Sequence, residues 1–313
     1  MTVSGPDTFR DTFRHDALLY AGLDDFVDRT AAFVRAGLEA DEAVAVAVIE
    51  PRAGALRKEL AADAEHITWI DMERVGRNPA RIIPAWRQWT HDQGPRAFRG
   101  IGEPVWAGRS EAELVECRHH ESLLNLAFDG VPWRLLCPYD VTTLDPSVID
   151  AVRHSHPRVL DAGAEYRHAH PGSDHYAATL SGPPLPDVPE HAEHLAFAAG
   201  ELARVRAFVR GRLGEAPRAY VGHVLLVVTE IAGNSIVHGG GHGEVDLWDE
   251  GTTLVCEIRD TGRVDDPLAG RHIPHPDVEG GRGLWIANQL CDLVQIRSTD
   301  SGTTVRLRLN HDR

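Results

Sequence analysis

Two domains of different class are predicted: an N-terminal α/β domain with a mostly parallel sheet over residues 10–162, and a C-terminal α+β sandwich over residues 191–310. Three observations carry this. The chain has 313 residues, about twice the ~100–200 that fill one ordinary domain. Its first half alternates short apolar runs with amphipathic stretches, whereas its second half places helical patterns before and between strand-like runs. Between them, residues 163–190 read GAEYRHAHPGSDHYAATLSGPPLPDVPE, rich in Pro, Gly and His and without period, as a linker does.

In the first half the strand candidates are ALLYA, AVAVAVI, ITWID, AFRGIGE and WRLLCPY, separated by helical patterns such as DDFVDRTAAFVRAGL, EAELVECRHHESLLNLAF and PSVIDAVRHS. Apolar strands alternating with helices imply a parallel sheet covered on both faces. In the second half LAFAAGELARVRAFVRGRL and AYVGHVLLVVTEIAGNSIVHG read as two helices. GEVDLWDE and TTLVCEIRD read as strands, LWIANQL as a short helix after a glycine-rich loop, and LVQIRST and TTVRLRL as the last strands.

Composition then excludes several functions. Hydrophobic residues at 42% and charged residues at 25% are ordinary globular values, so both domains can bury a core. The net charge of −15 disfavours nucleic acid and anionic membranes as partners. Lys58, the one lysine beside 31 arginines, sits in LRKEL, which reads as a helix surface, so a Gly-Lys-Ser/Thr phosphate loop and Schiff-base chemistry are both nearly excluded. The four cysteines form no Cys-x-x-Cys pair, against a disulfide framework or a cysteine zinc site. The longest apolar run, Ala43 to Ile49, is far below the ~18–20 residues of a membrane span. MTVSGPDTFRDTFRHD holds no apolar signal core, so a cytoplasmic protein is expected.

The chemistry concentrates in the second half. In VTEIAGNSIVHG, Glu230, Asn234 and His238 recur every four residues, a polar row along one face of an otherwise apolar helix. EIRDTG sets Asp260 after a strand with Gly262 two residues on. EGGRGLWIA brings Gly280, Gly281, Arg282 and Gly283 to a helix start, where backbone N–H groups and the helix dipole favour an anion. SGTTVRLRL adds Gly302 and Thr303 at the mouth of the last strand.

In this order the elements, over roughly Ala192 to Leu309, resemble the Bergerat-type ATP-binding domain of gyrase, heat-shock chaperones, histidine kinases and anti-sigma factor kinases. The resemblance implies ATP and Mg²⁺ as cofactors. It gives Asn234 the metal, Glu230 the general-base role and Asp260 the adenine amino group. Gly262 would let the base approach the backbone, Gly281 and Gly283 would belong to the phosphate loop, and Thr303 would complete the adenine pocket; Arg282, between the loop glycines, adds charge, and His238, on the same polar row, counts with the nucleotide-binding residues. The family's Asp-x-Gly-x-Gly has Val264 in place of its second glycine, which leaves the lid from Arg263 to Glu279 open, with Arg271, His272 and His275 read as solvated. No separate acceptor hairpin fits between His194 and Glu230. His120 of the His120-Glu121 pair reads as part of a packed helix rather than as an acceptor. What remains is similar to anti-sigma factors that phosphorylate a serine of an anti-anti-sigma (STAS-type) protein. That resemblance implies a sigma factor or such a protein as partner, and a homodimer, and the arginine bias fits an actinobacterial source.

The first half, through His15, Glu103, Glu121, Asn125, Cys137, Tyr139, Asp140 and His156-Pro157, looks like a MEDS sensory domain over about Phe13 to Leu160, a RecA-like scaffold without a P-loop. A small-molecule ligand is implied, beyond the carboxyl ends of the strands near Glu103 and Tyr139 to Asp140. Taken singly, Cys137 reads as core, His15 as a loop residue and Glu121 as a helix-surface acid. The histidines at 154, 156, 168, 170, 175, 191 and 194 read as a solvated tract, so the only metal expected is the nucleotide's Mg²⁺. Two alternatives to the serine kinase stay open: a non-catalytic ATP-gated binding module, and a histidine-kinase relative acting on a separate acceptor.

Overall fold

The computed structural model describes residues 13–161, 164–167, 182–274 and 281–311. The chain divides into two compact units, Met1–Gly172 and Ser173–Arg313.

The sheet of the first unit has seven strands: β1 (Arg14–Tyr20), β2 (Ala43–Val48), β3 (Ile67–Asp71), β4 (Phe98–Gly102), β5 (Trp133–Asp140), β6 (Arg158–Asp161) and β7 (Ala164–Arg167), in the order β3-β2-β4-β5-β1-β6-β7. β1 to β6 run parallel, and β7 returns antiparallel at the edge, inside the stretch read as linker. Side-chain alternation sorts the two faces. Leu18, Tyr20, Val44, Val46, Val48 and Leu136 pack with α1 (Gly22–Glu39) and α2 (Arg52–Leu60) into one core. After the single turn α3 (Met72–Val75) come α4 (Ile82–Asp92), α5 (Glu111–Ala127) and α6 (Pro146–Ser155). Trp86 and Trp89 of α4 meet Trp133 of β5 at ring centroids of 5.1 and 6.3 Å, and Phe128 after α5 joins them at 4.6 Å. α5 is held at its start by a capping box between Ser110 and Glu113.

The second unit is a five-stranded antiparallel sheet with helices on one face. Its elements are β8 (Glu193–Ala198), α7 (Leu202–Leu213), α8 (Arg218–His238), β9 (His242–Glu250), β10 (Thr253–Asp260), α9 (Gly283–Leu290), β11 (Leu293–Thr299) and β12 (Gly302–Asn310), with strand order β11-β12-β10-β9-β8. The predicted first helix therefore begins later: LAF belongs to the edge strand β8, of which only Phe197 is buried. Leu254, Cys256 and Ile258 of β10 and Val305, Leu307 and Leu309 of β12 alternate inward against Val205, Val209, Val224, Val227, Val228 and Ile231 of the helices. α8 is long and apolar enough to cross a membrane by composition, yet those apolar residues form the core of this unit. The outward face is polar. Buried Arg306 pairs with Glu257 there, and residues 182–188 lie on this face, with Arg306 and Arg297 donating to the carbonyls of Pro186 and Pro183 at 2.6 and 2.9 Å.

Candidate functional site

The alternation that buries Leu254, Cys256 and Ile258 also carries Asp260, the last residue of β10, to the helix side of the sheet. There its carboxylate accepts from Ser235 Oγ of α8 at 2.6 Å and from the Gly262 N–H at 2.8 Å. The same parity on β12 brings Thr303 to this face, where its hydroxyl donates to the Gly262 carbonyl at 2.9 Å and lies 3.0 Å from Ser298 Oγ. Ser298 in turn accepts from the Val264 N–H at 2.8 Å. Val264, in the position of the missing glycine, is thus tied down at the rim of the site.

Around these groups opens a cavity of about 510 Å³. Asn234 and His238 of α8, Asp260, Gly262, Gly281, Gly283 and Thr303 all line it, and Leu284, Val264 and Ile231 supply apolar wall. Seven of the nine sequence-predicted residues therefore converge on one space. The other two lie outside its wall. Glu230 is half-buried beside the start of α9, where a Cβ on Gly283 would stand 3.3 Å from its Oε2 and 3.0 Å from Asn234 Nδ2. Arg282 is exposed, at the N-cap of α9. Neither Glu230 nor Asn234 has a hydrogen-bond partner among the described residues, so both polar heads are available to something else.

Gly262 has a packing reason of its own. A Cβ there would meet the His238 carbonyl oxygen at 2.4 Å and Gly239 Cα at 2.8 Å, backbone atoms that cannot move aside. Gly281, at φ 70°, adopts the left-handed conformation that glycine favours. In the predicted lid, Arg263 pairs with Asp265 and Asp300 at 2.8 and 2.6 Å, and exposed His272 lies 3.5 Å from Asp266. Arg271 departs from expectation: it is 7% exposed, not solvated. His275, Glu279 and Gly280 lie outside the described residues.

At the carboxyl ends of the parallel strands of the first unit, Glu103 follows β4 and Asp140 ends β5, as parallel-sheet logic expects. Arg52, at the start of α2, joins them, 3.0 Å from Glu103 and 3.5 Å from Asp140, and donates to the Tyr20 hydroxyl at 2.5 Å. Sequence reading missed Arg52 and Tyr20, because a helix-start arginine and a strand tyrosine carry no spacing signal. Burial pushes Glu103 up to about 8 against the pull of Arg52, the Ile49 N–H and Tyr20. Asp140 goes the other way. Burial would raise it, but hydrogen bonds from Thr142 and Gly22 and the charge of Arg52 hold it below the ordinary carboxyl range. Two neighbouring acids are thereby driven apart in protonation, the pattern of a ligand or proton-handling site.

Three single-residue expectations are corrected. His15 lies within β1 and is 2% exposed, not in a loop; Glu121 is 2% exposed, not on a helix surface; and His156 is 1% exposed, not in a solvated tract. All three turn towards the sheet face that α5 and α6 cover, together with Cys137, which is core as expected. His120, at 1% exposure, sits in the packed helix where it was placed.

Residues 14–157 match the family model of MEDS, the MEthanogen/methylotroph, DcmR Sensory domain. Residues 192–309 match that of the Histidine kinase-like ATPase domain. Among curated proteins none matches the chain. The parallel first unit, the antiparallel Bergerat-type sandwich with its helices on one face, and the site on α8, β10 and α9 agree with these two matches: the chain is a MEDS domain followed by a histidine kinase-like ATPase domain.

Proposed function

We propose that this protein is a cytoplasmic signalling regulator in which the MEDS domain controls an ATP-dependent serine kinase of the anti-sigma factor type, acting on an anti-anti-sigma (STAS-type) protein and holding a sigma factor or related regulator. The carrying observation is the cavity whose wall joins Asn234, Asp260, Gly262 and the start of α9, with Glu230 beside Gly283.

The donors present fit Mg²⁺ and ATP. Asn234 offers an amide oxygen without a partner among the described residues, and Asp260 keeps spare lone pairs beyond the two hydrogen bonds it accepts. The first turn of α9 offers free N–H groups and the positive end of its dipole to phosphate. Bound Mg²⁺·ATP would supply an electrophilic terminal phosphoryl group. Asp260 would orient the purine, Asn234 would hold the metal, and Glu230 would accept the proton of the partner's serine hydroxyl. The alternative, an ATP-gated binding module without transfer, is supported by the position of Glu230 outside the cavity wall. His120 and His194 are disfavoured as acceptors, because His120 is buried inside α5 and His194 Nδ1 is held 2.8 Å from Asp246.

Single-turnover phosphorylation of a STAS-type serine partner, beside a pull-down with the same partner, separates the readings. Glu230→Gln should bind partner and nucleotide as wild type does while transfer falls by roughly 10²–10⁴-fold, the usual share of a general base. ATP-dependent partner binding by the wild-type chain without any transfer would instead establish the binding module.

A further inference from the structure

Buried beneath α5 and α6, four side chains from four elements bring their heteroatoms together. His15 stands on β1 and Cys137 on the adjacent parallel β5; Glu121 comes from α5, and His156 directly follows α6. His15 Nε2 lies 2.8 Å from Glu121 Oε2 and 3.3 Å from Cys137 Sγ, and His156 Nε2 lies 3.1 Å from the same Oε2. One ligand atom from each of the four falls within 4.8 Å of all the others. We propose that His15, Glu121, Cys137 and His156 form a tetrahedral site for a divalent transition-metal ion, zinc by the chemistry of its ligands, inside the MEDS domain.

The second nitrogen of each imidazole fixes its tautomer. His15 Nδ1 lies 3.3 Å from Asn125 Oδ1, an oxygen turned that way because the Asn125 amide nitrogen donates to the Ser155 carbonyl. His156 Nδ1 lies 3.0 Å from the Val152 carbonyl and from Ser155 Oγ. A carbonyl oxygen only accepts, so both Nδ1 atoms carry the proton and, in the neutral rings, both Nε2 atoms present a lone pair to the centre. Metal-bound histidines are held in this way by an outer hydrogen bond.

At the centre, however, the short distances from Glu121 to the two imidazoles do not amount to hydrogen bonds, and the His15–Cys137 contact is the one hydrogen bond there among the described residues. Both carboxylate oxygens of Glu121 and Nε2 of His156 are buried with no hydrogen-bond partner among the described residues. Lone pairs of Glu121 and His156 that converge with only the Cys137 thiol proton among them are what a cation would satisfy. With Zn–N and Zn–O near 2.0–2.2 Å and Zn–S near 2.3 Å, tetrahedral ligand edges come to about 3.3–3.6 Å, against 2.8, 3.1 and 3.3 Å for three of the pairs here, so the ligands would open by a few tenths of an ångström around the ion. Charge points the same way: a thiolate, a carboxylate and two neutral imidazoles neutralise a divalent ion, so the completed centre is uncharged in an apolar interior. Binding displaces one proton, that of the Cys137 thiol, to solvent. Magnesium and calcium prefer all-oxygen sets, whereas mixed N, S and O donors suit zinc and its transition-metal neighbours. A separate cavity of about 290 Å³ has Glu121, Tyr139 and Arg118 in its wall, so one of the four ligands borders it.

The test uses the full chain, purified without a polyhistidine tag, with metal content measured by mass spectrometry and Co²⁺ as the optical probe after chelator stripping. About one zinc ion per chain is expected. The cobalt form should show intense tetrahedral visible bands and a thiolate-to-cobalt charge-transfer band. Cys137→Ser should abolish the charge-transfer band, and His156→Gln or Glu121→Gln should weaken cobalt affinity by at least tenfold. Cys117→Ser should leave the spectrum unchanged, as should joint replacement of His168, His170 and His175 by Gln. Circular dichroism checks that each variant folds, and Cys137→Ser, nearly isosteric, serves if the histidine variant does not. A folded wild-type chain that takes up neither zinc nor cobalt would overturn the site in favour of a buried His–Glu pair. A cobalt spectrum that survives Cys137→Ser, or vanishes in the His168/His170/His175 variant, would overturn it in favour of adventitious binding.

Discussion

Glu103 illustrates how burial sets the chemistry of a residue. The folded chain holds its proton up to about pH 8, whereas an unfolded chain releases it near 4.5. The folded state therefore binds the extra proton between those values. Its stability should be greatest at the acid end of that window, fall as pH rises to about 8, and fall no further from this cause above it. Glu103→Gln, which mimics the protonated acid, should remove that slope. Urea midpoints followed by tryptophan fluorescence from about pH 5 to pH 9 in the full chain will show this, since five of the seven tryptophans belong to the first unit. Equal slopes in both proteins would mean that Glu103 is ionised in the fold. The role of Arg52 beside it could not have been read from the sequence, because its relation to Glu103 and Asp140 exists only through strand order. The same holds for His15, Glu121, Cys137 and His156, each unremarkable alone and joined only because β1 and β5 are neighbours beneath α5 and α6.

At the scale of elements, the ends of α8 and β10 and the start of β12 meet so closely that three glycines are needed. A Cβ on Gly239 would fall 2.4 Å from the Asp260 carboxyl carbon, one on Gly262 would strike the His238 carbonyl at 2.4 Å, and one on Gly302 the Asp260 carbonyl at 2.1 Å. Gly262→Ala should cost about 1–3 kcal/mol of stability, as overpacking does, and weaken nucleotide binding because Asp260 accepts from the Gly262 N–H. Thermal unfolding and ATP titration of the variant measure both effects. On the opposite face, Arg306 and Glu257 form a pair only 2% and 4% exposed. Arg306→Ala leaves a buried carboxylate with only Arg259 to meet it among the described residues and should destabilise the second unit by about 3 kcal/mol, read as a lowered urea midpoint. The strands and helices of these units were mostly legible, since apolar alternation and 3.6-residue periodicity mark half-buried elements. β8 was not: it is an edge strand with a single buried side chain, so its residues merged with the helical pattern that follows. The buried state of Arg271 was equally illegible, because an arginine amid glycine, histidine and proline reads as solvated.

Across the whole molecule, the arrangement expected from composition and patterning, a parallel domain followed by an antiparallel sandwich, is the one present, because each half carries its own apolar pattern and builds its own core. Residues 182–188 could not have been assigned in advance to the polar face of the second sheet, since the carbonyls that Arg297 and Arg306 take from Pro183 and Pro186 are backbone groups without a sequence signature. With a net charge of −15, the chain as a whole offers polyanions no general attraction. The central claim concerns the cavity of the second unit, and it is tested most directly by calorimetric titration of the full chain with Mg²⁺·ATP. The wild-type chain and Glu230→Gln should bind with matching affinity, Asn234→Ala should lose the Mg²⁺ dependence, and Asp260→Asn should lose most of the binding because an amide cannot offer the same acceptors. No detectable heat from the folded wild-type chain at millimolar ATP, or undiminished binding by Asp260→Asn, would contradict the account.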